Sequence, residues 1–385
     1  MWGAMIDYFH YTGDPSYNDV IIEALTAKVN TGEHFDFMPQ EHGAEEGNDD
    51  LGFWGYAVLA AAERNFPQPV DGVPSWLDLG KNIFNSLESR WNDTHCGGGL
   101  LWQIFESNPN GMNYKNSVSN GGFFQLAARL HRATDGKDPK YLDRAERIWD
   151  WSEGVGFIDR GFNVYDGADA RNNCTETNFL SFTYSTGIYL YGAAVLADQT
   201  GDQKWTDRAA GILHGARSFF WNEDGGTKGV MFEPACETVD RCNADMKSFK
   251  GYLARFMWQS TYMVPSLRDV VDGLLEPSAK AAAQTCTGGK TGDICGQKWY
   301  TGKHDGSVGL GQQMCALETV QGLLIDDTEK PFKGDEIKHV KERTWLNPHN
   351  SKRGDEDKED AASMWRVDWR VVAFGLVAYA FFGYA

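Results

Sequence analysis

Apolar positions along the chain fall into two alternating kinds of helical stretch. One kind is greasy on nearly every side and rich in Ala and Gly: GFWGYAVLAAAERNF (52–66), GFFQLAARLHRA (122–133), GIYLYGAAVLADQ (187–199), GYLARFMWQSTYMV (251–264) and GQQMCALETVQGLL (311–324). Helices that are apolar all round are buried, so these predict an inner layer. The other kind is amphipathic and charged. It follows a polar turn in which an aromatic residue is trailed by Asp: Tyr17/Asp19, Trp76/Asp78, Tyr141/Asp143 and Trp205/Asp207. Each unit takes about 64 residues, the kind of period that marks a repeat built of helical hairpins. The opening stretch MWGAMIDYFHY supplies a sixth inner helix. Six hairpins closing on themselves predict an all-α (α/α)6 barrel, with an open α-solenoid as the alternative. Ala60-Ala61-Ala62, Ala127-Ala128 and Gly192-Ala193-Ala194 allow the close approach that closure requires. Strand-like runs are short and confined to loops. The expected organisation is one barrel over 1–325, a charged spacer over 326–370 and an apolar tail over 371–385.

In such a barrel all inner helices start at one end, so the loops before them ring a single mouth. Those loops read Gly47-Asn48-Asp49-Asp50, Val118-Ser119-Asn120-Gly121, Thr183-Tyr184-Ser185-Thr186, Ser248-Phe249-Lys250 and Gly306-Ser307-Val308-Gly309. The long loops 92–120 and 157–183 open on the same end and carry Trp102, Tyr114, Tyr165 and Asp166. A concave mouth with convergent polar groups is the default ligand site. Asp49-Asp50 is its sharpest chemical signal. One Asp before a helix is an ordinary cap, but two adjacent carboxylates repel unless something uses both. Retaining glycosidases place two carboxyls roughly 5–5.5 Å apart, within reach of neighbouring residues where the chain turns. One can stay ionised as nucleophile while the other holds a proton. Asp326-Asp327 shows how often the same dipeptide is merely solvated. Trp54 is either the floor of a sugar site or core, Lys250 either binds a substrate hydroxyl or balances the acidic mouth, and Glu45-Glu46 reads as a solvated charged loop.

Composition narrows the function classes. Lys+Arg number 36 against 54 Asp+Glu, a net charge of −18, which repels phosphate backbones and excludes a general nucleic-acid binder. The aromatic fraction is 13%, with 14 Trp and 15 Tyr, residues whose flat faces and polar tips suit sugar stacking. No HExxH, CxxC, GxSxG or P-loop motif is present, so neither metal nor cofactor is expected. Of seven cysteines, Cys236/Cys242 and Cys286/Cys295 lie close together in loop-like contexts, Cys96 and Cys174 could form a third bridge, and Cys315 reads as a buried free thiol. With sequons at Asn92 and Asn173, this predicts a secreted chain. The first residues lack the n-region and cleavage site of a signal peptide, so Met1 reads as an internal methionine with the true N-terminus missing. At the other end, small residues, a polar spacer and the apolar run VVAFGLVAYAFFGYA (371–385) predict a GPI-attachment signal, with an amphipathic helix as the alternative.

MWGAMIDYFHYTGDPSYN, GNDDLGFWGYAVLAAAE, CGGGLLWQI, SNGGFFQLAARL, SFKGYLARFM and DGSVGLGQQMCALETVQ together resemble glycoside hydrolase family 76. Within it they resemble the fungal cell-wall subgroup proposed to act as GPI-glycan transglycosylases. The resemblance runs over roughly residues 1–325. It implies an (α/α)6 barrel and retaining chemistry on α-1,6-linked mannose, with Asp49 as nucleophile and Asp50 as general acid/base. It further implies cleavage within the mannose core of a GPI glycan and transfer of the mannoprotein to a wall β-glucan acceptor, by a monomeric enzyme of the membrane and wall. Trp54, Trp102, Asn120, Asp166, Tyr184 and Lys250 are the expected substrate-binding residues. The sequence departs from the family at Tyr184-Ser185, where Tyr-Asn is usual, at Gly122 and Cys315, and at Asp245-Met246 in place of Asp-Gln. A hydrolytic endo-α-1,6-mannanase and a catalytically silent mannan-binding wall protein are the competing functions.

Overall fold

A computed structural model describes residues 1–338 except 42, 70, 109–110 and 222–225. The apolar tail and most of the charged spacer lie outside the described residues. Twelve α-helices order the described chain: α1 (Trp2–Thr12), α2 (Asn18–Thr26), α3 (Lys28–Thr31), α4 (Asn48–Glu63), α5 (Trp76–Glu88), α6 (Ser117–Ala133), α7 (Lys140–Gly154), α8 (Thr183–Thr200), α9 (Gln203–Gly215), α10 (Phe249–Met263), α11 (Arg268–Thr285) and α12 (Leu310–Gln321). No helix among the described residues is long and apolar enough to cross a membrane.

The two helical patterns sort into two layers. Every residue of α6 is buried, whereas α7 buries only one face, through Tyr141, Ala145, Ile148, Trp149, Trp151 and Ser152. That spacing places one side chain per turn toward the core. Ser75 caps α5 by accepting the Asp78 N–H at 3.2 Å, and Asp202 caps α9 through the Lys204 N–H at 2.9 Å. Helix α8 ends at Gly201, whose left-handed φ of 66° closes a C-cap on the Ala197 carbonyl.

Helices α1, α4, α6, α8, α10 and α12 pack side by side in that order, and α12 returns against α1, so the inner layer is a closed ring. The barrel reading holds and the open solenoid falls. Closure depends on close backbone approach: a Cβ at Gly187 would lie 2.9 Å from Leu253 Cα, between α8 and α10. At the seam, Gln321 Nε2 donates to the Ala4 carbonyl at 3.2 Å. Asp7 of α1 sits inside the ring, 0% exposed, within 2.9 Å of Arg64 and 2.6 Å of Arg255. Burial alone would raise this carboxyl, but the two guanidiniums outweigh it and hold the group below its ordinary value.

Outside the ring, among the described residues, α2, α5, α7, α9 and α11 stand as partners of the inner helices. One boundary needs correction. After α12 the chain passes through a 3-10 turn, Gly322–Asp327, and then runs across the end of the barrel. There the Phe332 N–H donates to the Glu63 carbonyl at 2.7 Å, Arg132 donates to the Phe332 carbonyl at 3.1 Å, and the Lys338 N–H donates to Asn65 Oδ1 at 2.7 Å. Residues 326–338 therefore belong to the barrel and not to a spacer. They close the end at which α4, α6 and α8 finish.

Candidate active site

The opposite end is the mouth. Its wall is built by loops 92–116 and 157–182, which meet in a small antiparallel sheet of β1 (Tyr114–Asn116), β2 (Gly167–Asp169) and β3 (Thr177–Asn178), in that order. Lys115 pairs with Ala168, and Ala168 with Thr177. A disulfide between Cys96 and Cys174 ties the two loops together. The other bridges are Cys236–Cys242 and Cys286–Cys295, and Cys315 is free and buried.

The Asp pair opens α4 on this wall. The Asn48 N–H donates to the Trp102 carbonyl at 2.9 Å and its side-chain amide to the Leu101 carbonyl at 2.8 Å. Trp102 is itself held by its N–H on the Tyr114 carbonyl at 2.7 Å. Its indole Nε1 donates to Asp49 Oδ2 at 2.9 Å. The other Asp49 oxygen, Oδ1, is buried with no hydrogen-bond partner. Asp50 Oδ2 accepts the Gly47 N–H at 2.7 Å, an ordinary first-turn cap, while the residue stays exposed to the mouth.

Environment raises both carboxyls. Burial pushes Asp49 up to about 7, the charge of Asp50 adds to this, and the Trp102 indole opposes it. Asp50 is raised by the protein crowded around it, with the Gly47 N–H opposing and Asp245 adding. Two neighbouring carboxyls in this state titrate as a pair, because ionising one disfavours ionising the other.

Glu46 is no solvated loop residue. It is half-buried, and burial together with Asp50 and Asp36 pushes it up to about 8 against the pull of Arg90. Asp166, also half-buried, accepts the Tyr114 hydroxyl at 2.7 Å and Asn178 Nδ2 at 3.1 Å. Tyr184 stacks face to face on Phe249 at 3.8 Å, within electrostatic reach of Asp166 and Asp49. Trp54 is half-buried and stacks on Phe37 at 5.0 Å. Phe53 and Tyr252, with ring centres 5.0 Å apart, pack against the core.

Two expected substrate contacts are occupied by protein instead. Asn120 is fully buried, donating to the Leu100 and Asn116 carbonyls and accepting the Leu100 N–H. It fastens the 92–116 loop to α6. Lys250 is also fully buried, 3.0 Å from Glu237, bonded to the Gln297 carbonyl at 2.5 Å and lying 3.9 Å over the Trp299 ring. Neither has a polar atom left for a ligand. Conversely, Glu46, Asp245 and Phe249 belong to the mouth. The N-terminal position of Phe249 on an inner helix was the available signal for it, whereas Asp245 is recognisable only in space.

Residues 1–335 match the profile of Glycosyl hydrolase family 76. The chain belongs to this family. It is 42% identical to mannan endo-1,6-alpha-mannosidase DFG5 of Saccharomyces cerevisiae, over 87% of this chain and 71% of that one. It is 44% identical to mannan endo-1,6-alpha-mannosidase DCW1 of Candida glabrata, over 83% and 70%. Among solved structures it resembles Dfg5 from Chaetomium thermophilum in complex with glucosamine, at TM-score 0.82 and 40% identity, covering 89% of this chain and 84% of that one. At 20% identity and TM-score 0.64, covering 84% and 87%, it shares its fold with an inactive variant of the family 76 α-1,6-mannanase of a Salegentibacter species in complex with α-1,6-mannotriose. That variant has two adjacent aspartates replaced by asparagine.

Proposed function

We propose that the chain is a retaining, endo-acting α-1,6-mannosidase and transglycosylase of the fungal cell wall. Its donor is the mannose core of a GPI glycan or mannan, and its acceptor is a wall β-glucan. The observation that carries this reading is the Asp49–Asp50 pair, with Trp102 bonded to one oxygen of Asp49 and the other oxygen unbonded.

In the first step ionised Asp49 attacks the anomeric carbon. The glycosidic C–O bond breaks, and Asp50 gives its proton to the leaving oxygen. A covalent mannosyl–Asp49 ester remains. In the second step an acceptor hydroxyl attacks the same carbon, loses its proton to Asp50 and releases Asp49. The Trp102 indole favours the ionised form of Asp49 in which each cycle starts. Paired aspartates are also what was replaced in the inactive Salegentibacter variant. The mouth gathers Glu46, Asp49, Asp50, Asp166 and Asp245, a setting that suits a cationic amino sugar, the class of ligand bound in Chaetomium Dfg5. Location at the wall, a GPI anchor and action as a monomer complete the reading.

Hydrolysis is the competing outcome, and the exposure of Asp50 to solvent favours it. Incubation with an α-1,6-mannose oligosaccharide, with and without β-glucan, followed by mass spectrometry, separates the two. Ligated product supports transfer, and free fragments alone support a mannanase. Binding without turnover indicates a silent wall protein.

A further inference from the structure

The long connection between α9 and α10 carries two buried glutamates that the chemistry above does not use. Glu233 is fully buried. Its Oε2 accepts both the backbone N–H of Thr183, at 3.1 Å, and the Thr183 hydroxyl, at 2.5 Å. Thr183 is the first residue of α8 and the neighbour of Tyr184. Four residues on, Glu237 accepts the Glu233 N–H at 3.1 Å and pairs with Lys250 at the start of α10. Lys250 adjoins Phe249, on which Tyr184 stacks with 11° between the rings. The Cys236–Cys242 disulfide closes the loop that bears Glu237 and begins three residues after Glu233. One short segment, residues 233–237, braced by a disulfide, therefore holds the first residues of two neighbouring inner helices, beside the stacked rings of Tyr184 and Phe249.

We infer that Glu233 is a positioning residue for the mannosidase reaction: through Thr183 it sets the place of the Tyr184 ring on Phe249, and with it the sugar-binding wall opposite Asp49. This rests on the function proposed above and on the expectation that Tyr184 contacts the substrate. A helix N-terminus leaves N–H groups without intrahelical partners, and a carboxyl supplies an acceptor there. Capping from within the helix would leave α8 free to shift against α10, whereas capping from a turn that also holds Lys250 couples the two helices. Burial, with the nearby charge of Glu237 adding and the Thr183 bonds and Lys250 opposing, pushes Glu233 up to about 8. The side chain is therefore neutral near pH 6, and glutamine reproduces its shape, charge and accepting oxygen.

The test compares Glu233→Ala, Glu233→Gln and wild type on α-1,6-mannotetraose. Glu233→Ala is expected to raise KM about tenfold and leave kcat within about twofold, because it loosens binding shared by ground and transition states. Glu233→Gln is expected to match wild type at pH 6 and to separate from it only above about 8, where the native carboxyl ionises. An unchanged KM in Glu233→Ala, or a Glu233→Gln variant as impaired as Glu233→Ala, overturns the inference. If Glu233→Ala does not fold, Thr183→Val removes one donor and keeps the backbone; it is expected to raise KM about threefold, and no change overturns the inference. A crystal structure of either variant provides a readout independent of substrate. Rings still stacked at 3.8 Å overturn the positioning role, whereas displaced rings together with a wild type that neither binds nor cleaves mannotetraose would sink only the proposed function.

Discussion

The indole N–H of Trp102 meets Asp49 Oδ2 at 2.9 Å across 53 residues of sequence, and the same tryptophan's carbonyl holds the N–H of Asn48. One residue of a wall loop thus fixes both the backbone entering α4 and the charge state of the carboxylate it presents. Trp102→Phe keeps the ring and removes the donor. A hydrogen bond to a charged group contributes about 1.5–3 kcal/mol, so kcat is expected to fall about tenfold or more. Losing a donor that favours the ionised form raises the Asp49 carboxyl further, so the acidic limb of kcat/KM moves to higher pH. A pH–rate profile of the variant checks both.

Asp49→Asn and Asp50→Asn should differ in kind. Asp49→Asn removes the proposed nucleophile and is expected to lose about 10³-fold or more on every substrate. Asp50→Asn removes the proposed proton donor, a contribution of about 10²–10⁴-fold. Its first step should recover on an aryl mannoside whose leaving group needs no proton. Steady-state rates on the two substrate types check the assignment.

The raised Asp49 carboxyl also makes a stability prediction. Its folded value, about 7, lies above the ordinary carboxylate range, so the folded state holds a proton that the unfolded chain has released. Stability from this group falls as pH rises from about 4 to about 7 and is flat beyond. Asp49→Asn should therefore be more stable than wild type at pH 8, by on the order of 1 kcal/mol after solvent screening, and the two should converge near pH 4. Thermal unfolding across this range checks it.

Asp7 predicts the opposite sign. Arg64 and Arg255 depress it inside the ring, so its contribution is present above its unfolded value and lost as pH falls through the folded one. Asp7→Ala leaves two buried guanidiniums without their shared partner and is expected to cost about 3–5 kcal/mol, measurable by denaturant unfolding.

The barrel was legible because its inner helices differ in kind from the outer ones. A stretch such as 187–199, apolar on all sides with Gly192-Ala193-Ala194 at its centre, has no place on a surface. The Asp pair stood out in the sequence because two adjacent acids at a helix start exceed what capping needs, and its place at the start of α4 agrees with that position. Asn120 and Lys250 were misplaced for one shared reason. Polar residues at the starts of inner helices line the mouth only if the loops above leave them open, and Leu100 and Gln297 cover these two. Glu46 was missed because its burial comes from packing around Arg90 and Asp36, far from it in local pattern. Lys330 and Phe332 lie beyond the last helix, where no periodicity remains to announce that the chain still packs on Asp198 and Glu63.

The strap formed by residues 328–338 has a consequence for stability. It lies across the floor of the barrel, and Lys338 sits beside Asn65, at the end of α4 remote from Asp49. It fastens the ends of α4, α6 and α8 to one another through Glu63, Arg132 and Asp198, so cutting the chain ahead of Thr328 would loosen the barrel from the end away from the aspartates.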